Sequence, residues 1–162
     1  MDNSTHIVSF PMLKSFTRPV ISLYNVNALV DPGSTPLIID MDDKSVSELF
    51  GGQYTGKDVE LKGIGKGVAK VYKLNHFCIG DMVFRDFPAL IGSLEDKGTP
   101  IVLGSSMYNR GSKCLFDTDA NEVVFYFSEV FFRAGKPCIR HKDGWGFLDY
   151  KDGHFVAMPI TV

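Results

Sequence analysis

The first feature of this sequence able to do chemistry is an acid at the end of an apolar strand. Ala28-Leu29-Val30 runs into Asp31-Pro32-Gly33-Ser34, and Thr35-Pro36-Leu37-Ile38-Ile39 leaves the turn as a second apolar segment. A carboxylate there is costly to bury unless something uses it, and its usual work is to take a proton from water or give one to a reacting group. Asp-Pro-Gly-Ser is also an ordinary β-turn sequence. Asp suits position i, Pro suits i+1, and Gly suits the left-handed i+2 of a type II turn. Both readings put Asp31 at a tight corner between two strands.

Other chemistry-bearing residues are weaker candidates. Gly63-Ile64-Gly65-Lys66-Gly67 is glycine-rich but lacks the Gly-Lys-Ser/Thr ending and following helix of a phosphate cradle, so it reads as a hairpin tip. His6, His76, His141 and His154 show no metal-ligand spacing, and no metal or cofactor is expected. Cys138, His141 and Asp143 suggest a thiol nucleophile with its base. Cys138 and His141 are an odd number of residues apart on one short strand, however, so alternation aims them at opposite faces. Asp40, Asp42 and Asp43 form an acidic cluster whose default is a solvated loop, with a cation site as the other reading.

These residues must be held by strands. Thirteen Phe and six Tyr favour sheet, and sixteen Gly point to many tight turns. Val20 to Val30 reads as one strand, followed by Leu37 to Ile39. Lys44 to Phe50 is expected to make one or two helical turns ended by Gly51-Gly52. Asp58 to Leu61 and Val68 to Cys78 read as two arms around the Gly63–Gly67 tip, with Val68, Lys70, Tyr72 and Leu74 on one face. Met82 to Phe87 follows the Gly80-Asp81 turn. Ile101-Val102-Leu103-Gly104 is short and wholly apolar, as a strand buried on both faces is. Ser105 is a candidate N-cap for a short helix through about Arg110, closed by Gly111. Cys114 to Phe116 and Val123 to Phe127 are strands around the turn Asp117 to Asn121. Lys142-Asp143-Gly144 and Lys151-Asp152-Gly153 repeat one hairpin signal nine residues apart, so residues 130–162 read as a small β-meander.

A length of 162 residues suits one domain with a modest extension. A net charge of -2 without a basic cluster gives nucleic-acid binding no electrostatic support. No apolar stretch approaches the roughly 20 residues of a spanning helix, and the amino end shows no signal-peptide pattern, so no membrane association is expected. Cys78, Cys114 and Cys138 read as buried reduced thiols, and the expected location is cytoplasmic.

The order of three elements resembles the retropepsins, the dimeric aspartic proteases of retroviruses and their cellular relatives. These are apolar-apolar-Asp31-x-Gly33-Ser34, the glycine-rich tip Gly63 to Gly67, and Ile101-Val102-Leu103-Gly104 before a short helix. The resemblance covers roughly residues 8–128. It implies an all-β, closed β-barrel of the acid-protease type with one or two short helices. Residues 1–129 would form the protease domain, and 130–162 a β-meander extension packed on it. It also implies an aspartic endopeptidase that works as a homodimer on extended peptide or protein substrates. Asp31 of each subunit would form the dyad, with Gly33 donating its N–H and Ser34 tying down the loop. Gly63, Ile64, Gly65 and Lys66 would act as a mobile flap, and Ile64 and Val102 as apolar walls of the substrate site. The sequence departs from the family at position 32, where Pro32 replaces Thr or Ser. Pro32 has neither the hydroxyl nor the N–H of the usual network between subunits. The alternative implied by Pro32 is a dimeric peptide-binding or assembly module with weak or no proteolysis.

Overall fold

The computed structural model describes residues 5–61, 63, 65–107, 112–128, 138–141, 144–151 and 154–159. After β1 (Thr5–Pro11), the run expected as one strand over Val20 to Val30 is a hairpin of β2 (Val20–Leu23) and β3 (Val26–Val30). Its turn residues Tyr24 and Asn25 take φ of 54° and 61°, the doubly left-handed pair that matches the twist of a two-residue hairpin. Tyr24 is held there by its surroundings. Its ring centroid lies 4.7 Å from that of Phe50 and 5.5 Å from that of Phe77. Its hydroxyl oxygen accepts the Cys78 backbone N–H at 2.8 Å. Burial pushes the Tyr24 phenol up to about 12.

The chain continues through β4 (Leu37–Ile39), α1 (Asp43–Phe50), β5 (Gly52–Glu60), β6 (Gly65–Ile79), β7 (Met82–Leu94) and β8 (Ile101–Leu103). The helix starts where an acceptor is available, since the Asp42 carboxylate takes the Ser45 N–H at 2.7 Å. It ends at Gly51, with φ 59°. Val46 and Phe50 are its buried side chains. Instead of a helix capped by Ser105, a 3-10 turn spans Ser105–Met107, closed by the Met107 N–H on the Gly104 carbonyl at 3.0 Å. Tyr108 to Gly111 lie outside the described residues.

Strands β2 to β8 form a seven-stranded sheet in the order β2-β3-β8-β4-β7-β6-β5. Among the described residues no ladder joins β2 to β5, so the closed barrel expected from the sequence is an open sheet. A separate three-stranded sheet, β1-β10-β9, covers the core instead, with β9 at Ser112–Asp117 and β10 at Glu122–Ser128. The C-terminal meander is present as a third sheet of β11 (Cys138–His141), β12 (Gly144–Lys151) and β13 (His154–Pro159). Its Lys-Asp turn residues 142–143 lie outside the described residues. So does Asp152, with Gly153. No described helix is long and apolar enough to cross a membrane.

The middle of the large sheet is buried on both faces, which is why its strands read as unbroken apolar runs. Ala28, Val30, Leu37, Ile39, Ile101 and Leu103 face a main core with Phe77, Phe84, Phe125 and Phe127. Leu29, Ile38, Leu90 and Val102 face a second, smaller core closed by Leu61, Leu94, Leu13 and Phe16. Lys70, Tyr72 and Leu74 share the expected face, since Lys70 and Tyr72 both reach Asp43 and Leu74 joins the main core, while Ala69 and Val71 turn to the second core. Burial along the face expected for Val68, Lys70, Tyr72 and Leu74 is uneven. The β6–β7 register shifts between Lys66 and Lys70. Tyr72 and Leu74 are buried while Val68 is 64% exposed. Cys78 and Cys114 are unpaired and half-buried, not fully buried as expected. Truncating the central ring tests the aromatic core. Phe77→Ala, at a side chain 0% exposed, should lower unfolding stability by about 3–5 kcal/mol, read as a lower urea midpoint at unchanged slope.

Candidate active site

The site is built by one insertion. Strands β3 and β4, before and after the Asp31 turn, do not pair with each other. β8 lies between them, parallel to β3 (Leu29 opposite Val102) and antiparallel to β4 (Ile38 opposite Val102). The loop from Asp31 to Pro36 must therefore pass around the end of β8. The Asp31 N–H donates to the Leu103 carbonyl at 3.0 Å, the Ser105 N–H to Ser34 at 2.7 Å, and the Ser106 N–H to Thr35 at 3.1 Å. Gly104 makes this approach possible, since a Cβ there would lie 2.3 Å from the Pro36 oxygen and 2.5 Å from Thr35 backbone atoms. A real Cβ cannot stand that close, so the loop or β8 would have to move.

Within the turn, the Ser34 N–H closes on the Asp31 carbonyl at 3.1 Å and the Gly33 N–H donates to Asp31 Oδ1 at 3.0 Å. Gly33 does not take the left-handed φ that a type II turn requires. Gly33 is bare for a different reason, because a Cβ would sit 3.2 Å from Asp31 Oδ1. Pro32 occupies the second turn position, where no N–H is needed, and is exposed. Strand alternation carries Asp31 to the face of Leu29 and Val102.

On that face lies a pocket of about 150 Å³ lined by Leu29, Leu94 and Val102, by Gly63 of the hairpin tip, by Thr99, and by the charged Arg18, Glu95 and Asp96. It brings together Val102 and Gly63 of the expected substrate residues. Asp31 is not in its wall. Gly63 and Gly67 take φ of 83° and 71°, as a glycine tip should. Gly65 is buried, its would-be Cβ 2.6 Å from Leu61 Cδ1. Gly65 and Lys66 lie in the ladder opposite Leu94 and Ser93 of β7. The tip is thus seated on the second core by Leu61 and drawn onto β7 by its return strand. Ile64 lies outside the described residues.

Several residues around the site were not legible in the sequence. Arg18 and Thr99 line the pocket from loops with no motif. Asp40 fixes the pocket loop, its Oδ2 accepting the Leu94 N–H at 3.0 Å and the Lys97 ammonium at 2.9 Å. Lys97 also donates to Ser93 Oγ at 2.7 Å, and Asn27 Nδ2 to the Gly98 carbonyl at 3.0 Å. The acidic cluster is thereby divided among structural tasks: Asp40 holds a loop, Asp42 caps α1, and Asp43 joins α1 to β6. No group of three metal-ligating side chains occurs among the described residues. Ser106 Oγ is buried without a partner among the described residues.

No protein-family model matches the chain, and no curated protein matches it. Among solved structures it is similar to a retropepsin-like aspartic protease from Rickettsia conorii. The two share 17% identity at a TM-score of 0.51, over 79% of this chain and 97% of that one. The chain therefore has the all-β fold of the retropepsin-like aspartic proteases. The likeness at this identity is one of fold.

Two predictions follow from the site's supports. Gly104→Ala should destabilise the protein by about 1–3 kcal/mol through overpacking, with melting and peptide hydrolysis measured on the same sample. The second concerns acid. The Lys70 ammonium at 3.0 Å, and then the Tyr72 hydroxyl at 2.8 Å, donate to Asp43 and hold its carboxyl below its ordinary value. The Ser45 N–H does the same for Asp42. Both are lowered in the folded chain, so their contribution is complete above the ordinary carboxylate value near ~4. It is lost as pH falls through the lowered values. Asp43→Asn should flatten the fall of stability on the acid side of that value, as urea unfolding at a series of acid pH values will show.

Proposed function

We propose that this protein is an aspartic endopeptidase that works as a homodimer, with one Asp31 from each subunit activating water for peptide-bond hydrolysis. The observation that carries this is the insertion of β8 between β3 and β4. It holds Asp31 at the end of the buried strand whose Leu29 lines the pocket, in a fold shared with a retropepsin-like aspartic protease. Hydrolysis needs a base for the water and an acid for the scissile carbonyl. One chain offers one such turn, so the second carboxyl comes from a copy related by a two-fold axis. Two carboxyls about 3 Å apart cannot both ionise and share one proton. One takes the water's proton while the other donates to the carbonyl, and the titration belongs to the pair.

Gly33 keeps its N–H on Asp31 Oδ1, and the Ser34 carbonyl is anchored by Ser105, so the acid arrives at the axis preset. Gly63 lines the pocket, and the glycine tip would close on an extended peptide bound as an added strand. Leu29 and Val102 supply an apolar floor for one of its side chains. Residues 1–129 carry this machinery in the proposal, and the C-terminal meander is an extension of the same domain.

Pro32 supports a second reading, a dimeric peptide-binding module with little hydrolysis. It offers neither hydroxyl nor N–H to a partner subunit, and each such buried bond is worth about 0.5–1.5 kcal/mol. One pair of variants separates the readings. Asp31→Asn should lower the rate of peptide hydrolysis in mild acid by about 10²–10⁴-fold while leaving the sedimentation of the dimer unchanged. Equal cutting by both versions removes Asp31 from the mechanism. Pro32→Thr should tighten the dimer or raise activity. If wild type cuts nothing yet sediments as a dimer that binds peptides, the module reading stands.

A further inference from the structure

The pocket over Leu29 and Val102 has an unusual rim for an apolar floor. Leu29, Leu94 and Val102 form the bottom, and the charged residues at the mouth are Glu95, Asp96 and Arg18, all exposed. Glu95 and Asp96 sit on a loop that is fixed at many points. The Asp40 carboxylate holds Leu94 and Lys97, Asn27 holds Gly98, and the Asp40 N–H donates to the Pro100 carbonyl at 2.7 Å. Asp96 Oδ1 accepts the Gly98 N–H at 2.8 Å, which orients its carboxylate and leaves the second oxygen available. Glu95 and Arg18 make no ion pair among the described residues. The lysine of this loop is spent on Asp40 and Ser93, so it does not neutralise the rim. The lining thus carries two carboxylates on a braced loop and one guanidinium on a long side chain, a negative balance among the described residues. The Asp96 carboxylate is already oriented by the Gly98 N–H, which lowers the cost of ordering it on binding.

We propose that this pocket selects a peptide side chain with an apolar stem and a cationic end, lysine or arginine, and that Glu95 and Asp96 are the specificity-determining residues. The stem lies on Leu29, Leu94 and Val102 while the cation reaches the two carboxylates, the usual division of labour in a long basic side chain. A volume of about 150 Å³ is enough for a group the size of benzene, so the stem fits and the charged end stays at the wet mouth. The selection is electrostatic and depends on salt. This rests on the peptide-cleaving reading of the same site and adds the class of substrate to it.

The test separates binding from cutting. Peptides with an apolar pair at the centre carry Lys, Leu or Glu at each flanking position in turn. Their affinity is measured by fluorescence anisotropy on the full-length Asp31→Asn protein, and their cleavage on wild type. The proposal expects one flanking position at which Lys is favoured over Glu by about ten-fold at low salt, falling to about two-fold at high salt. Glu95→Gln with Asp96→Asn should abolish that preference while leaving the affinity of the Leu peptide unchanged. Equal affinity for Lys and Glu peptides at every position overturns the charge selection but leaves the endopeptidase reading intact. A preference for Glu that is lost in Arg18→Gln overturns it in favour of the guanidinium. Failure of every peptide to bind or be cut overturns both readings together.

Discussion

Everything in the site depends on β8 standing between β3 and β4. Three apolar residues, Ile101 to Leu103, separate the two strands that the Asp31 turn connects, and they bond to both. A turn between paired neighbours would be an ordinary hairpin end. A turn that must travel around a third strand is wider, and its backbone groups meet the inserted strand. Asp31, Ser34 and Thr35 accordingly find partners on Leu103, Ser105 and Ser106. Burial of Ile101, Val102 and Leu103 on both faces fixes β8, and through it the position of the acid.

The same arrangement explains how the chain tolerates Pro32. The turn takes its support from the ends of β8 and from the Gly33 N–H, and none of these bonds involves the backbone nitrogen of position 32. Pro at the second turn position fixes φ where the turn wants it. What Pro32 removes is a group that could serve another subunit. Within one chain the acid is well held, so in the proposed dimer the contest between a protease and a binding module turns on the contact between copies.

Much of this was legible in the sequence because it is local. The run Ile101 to Leu103 followed by a glycine announces a strand buried on two sides, and the acid-proline-glycine-serine corner announces its turn. Lys44 to Phe50 has glycines after it to end the helix, and the C-terminal meander of β11 to β13 stands where it was expected. What escaped is long-range or depends on context. Tyr24 and Asn25 turn a hairpin without a recognisable turn sequence, because the Phe50 and Phe77 rings and the Cys78 N–H hold Tyr24 at positive φ. Asp40 looked like one member of an acidic cluster, and its bonds to Leu94 and Lys97 cross more than fifty positions of sequence. Arg18 and Thr99 reach the pocket from loops, where no periodicity points. Among the described residues the barrel is not closed, and a second sheet, not a returning edge, covers the core.

The central claim is that catalysis needs an acid from each of two copies. Mixing wild type with Asp31→Asn protein at constant total concentration, after exchange of subunits, tests it directly. If the acids are shared, activity falls as the square of the wild-type fraction, because a mixed pair has only one competent carboxyl. A linear fall, with each wild-type chain keeping its full activity whatever its neighbour, would contradict the account.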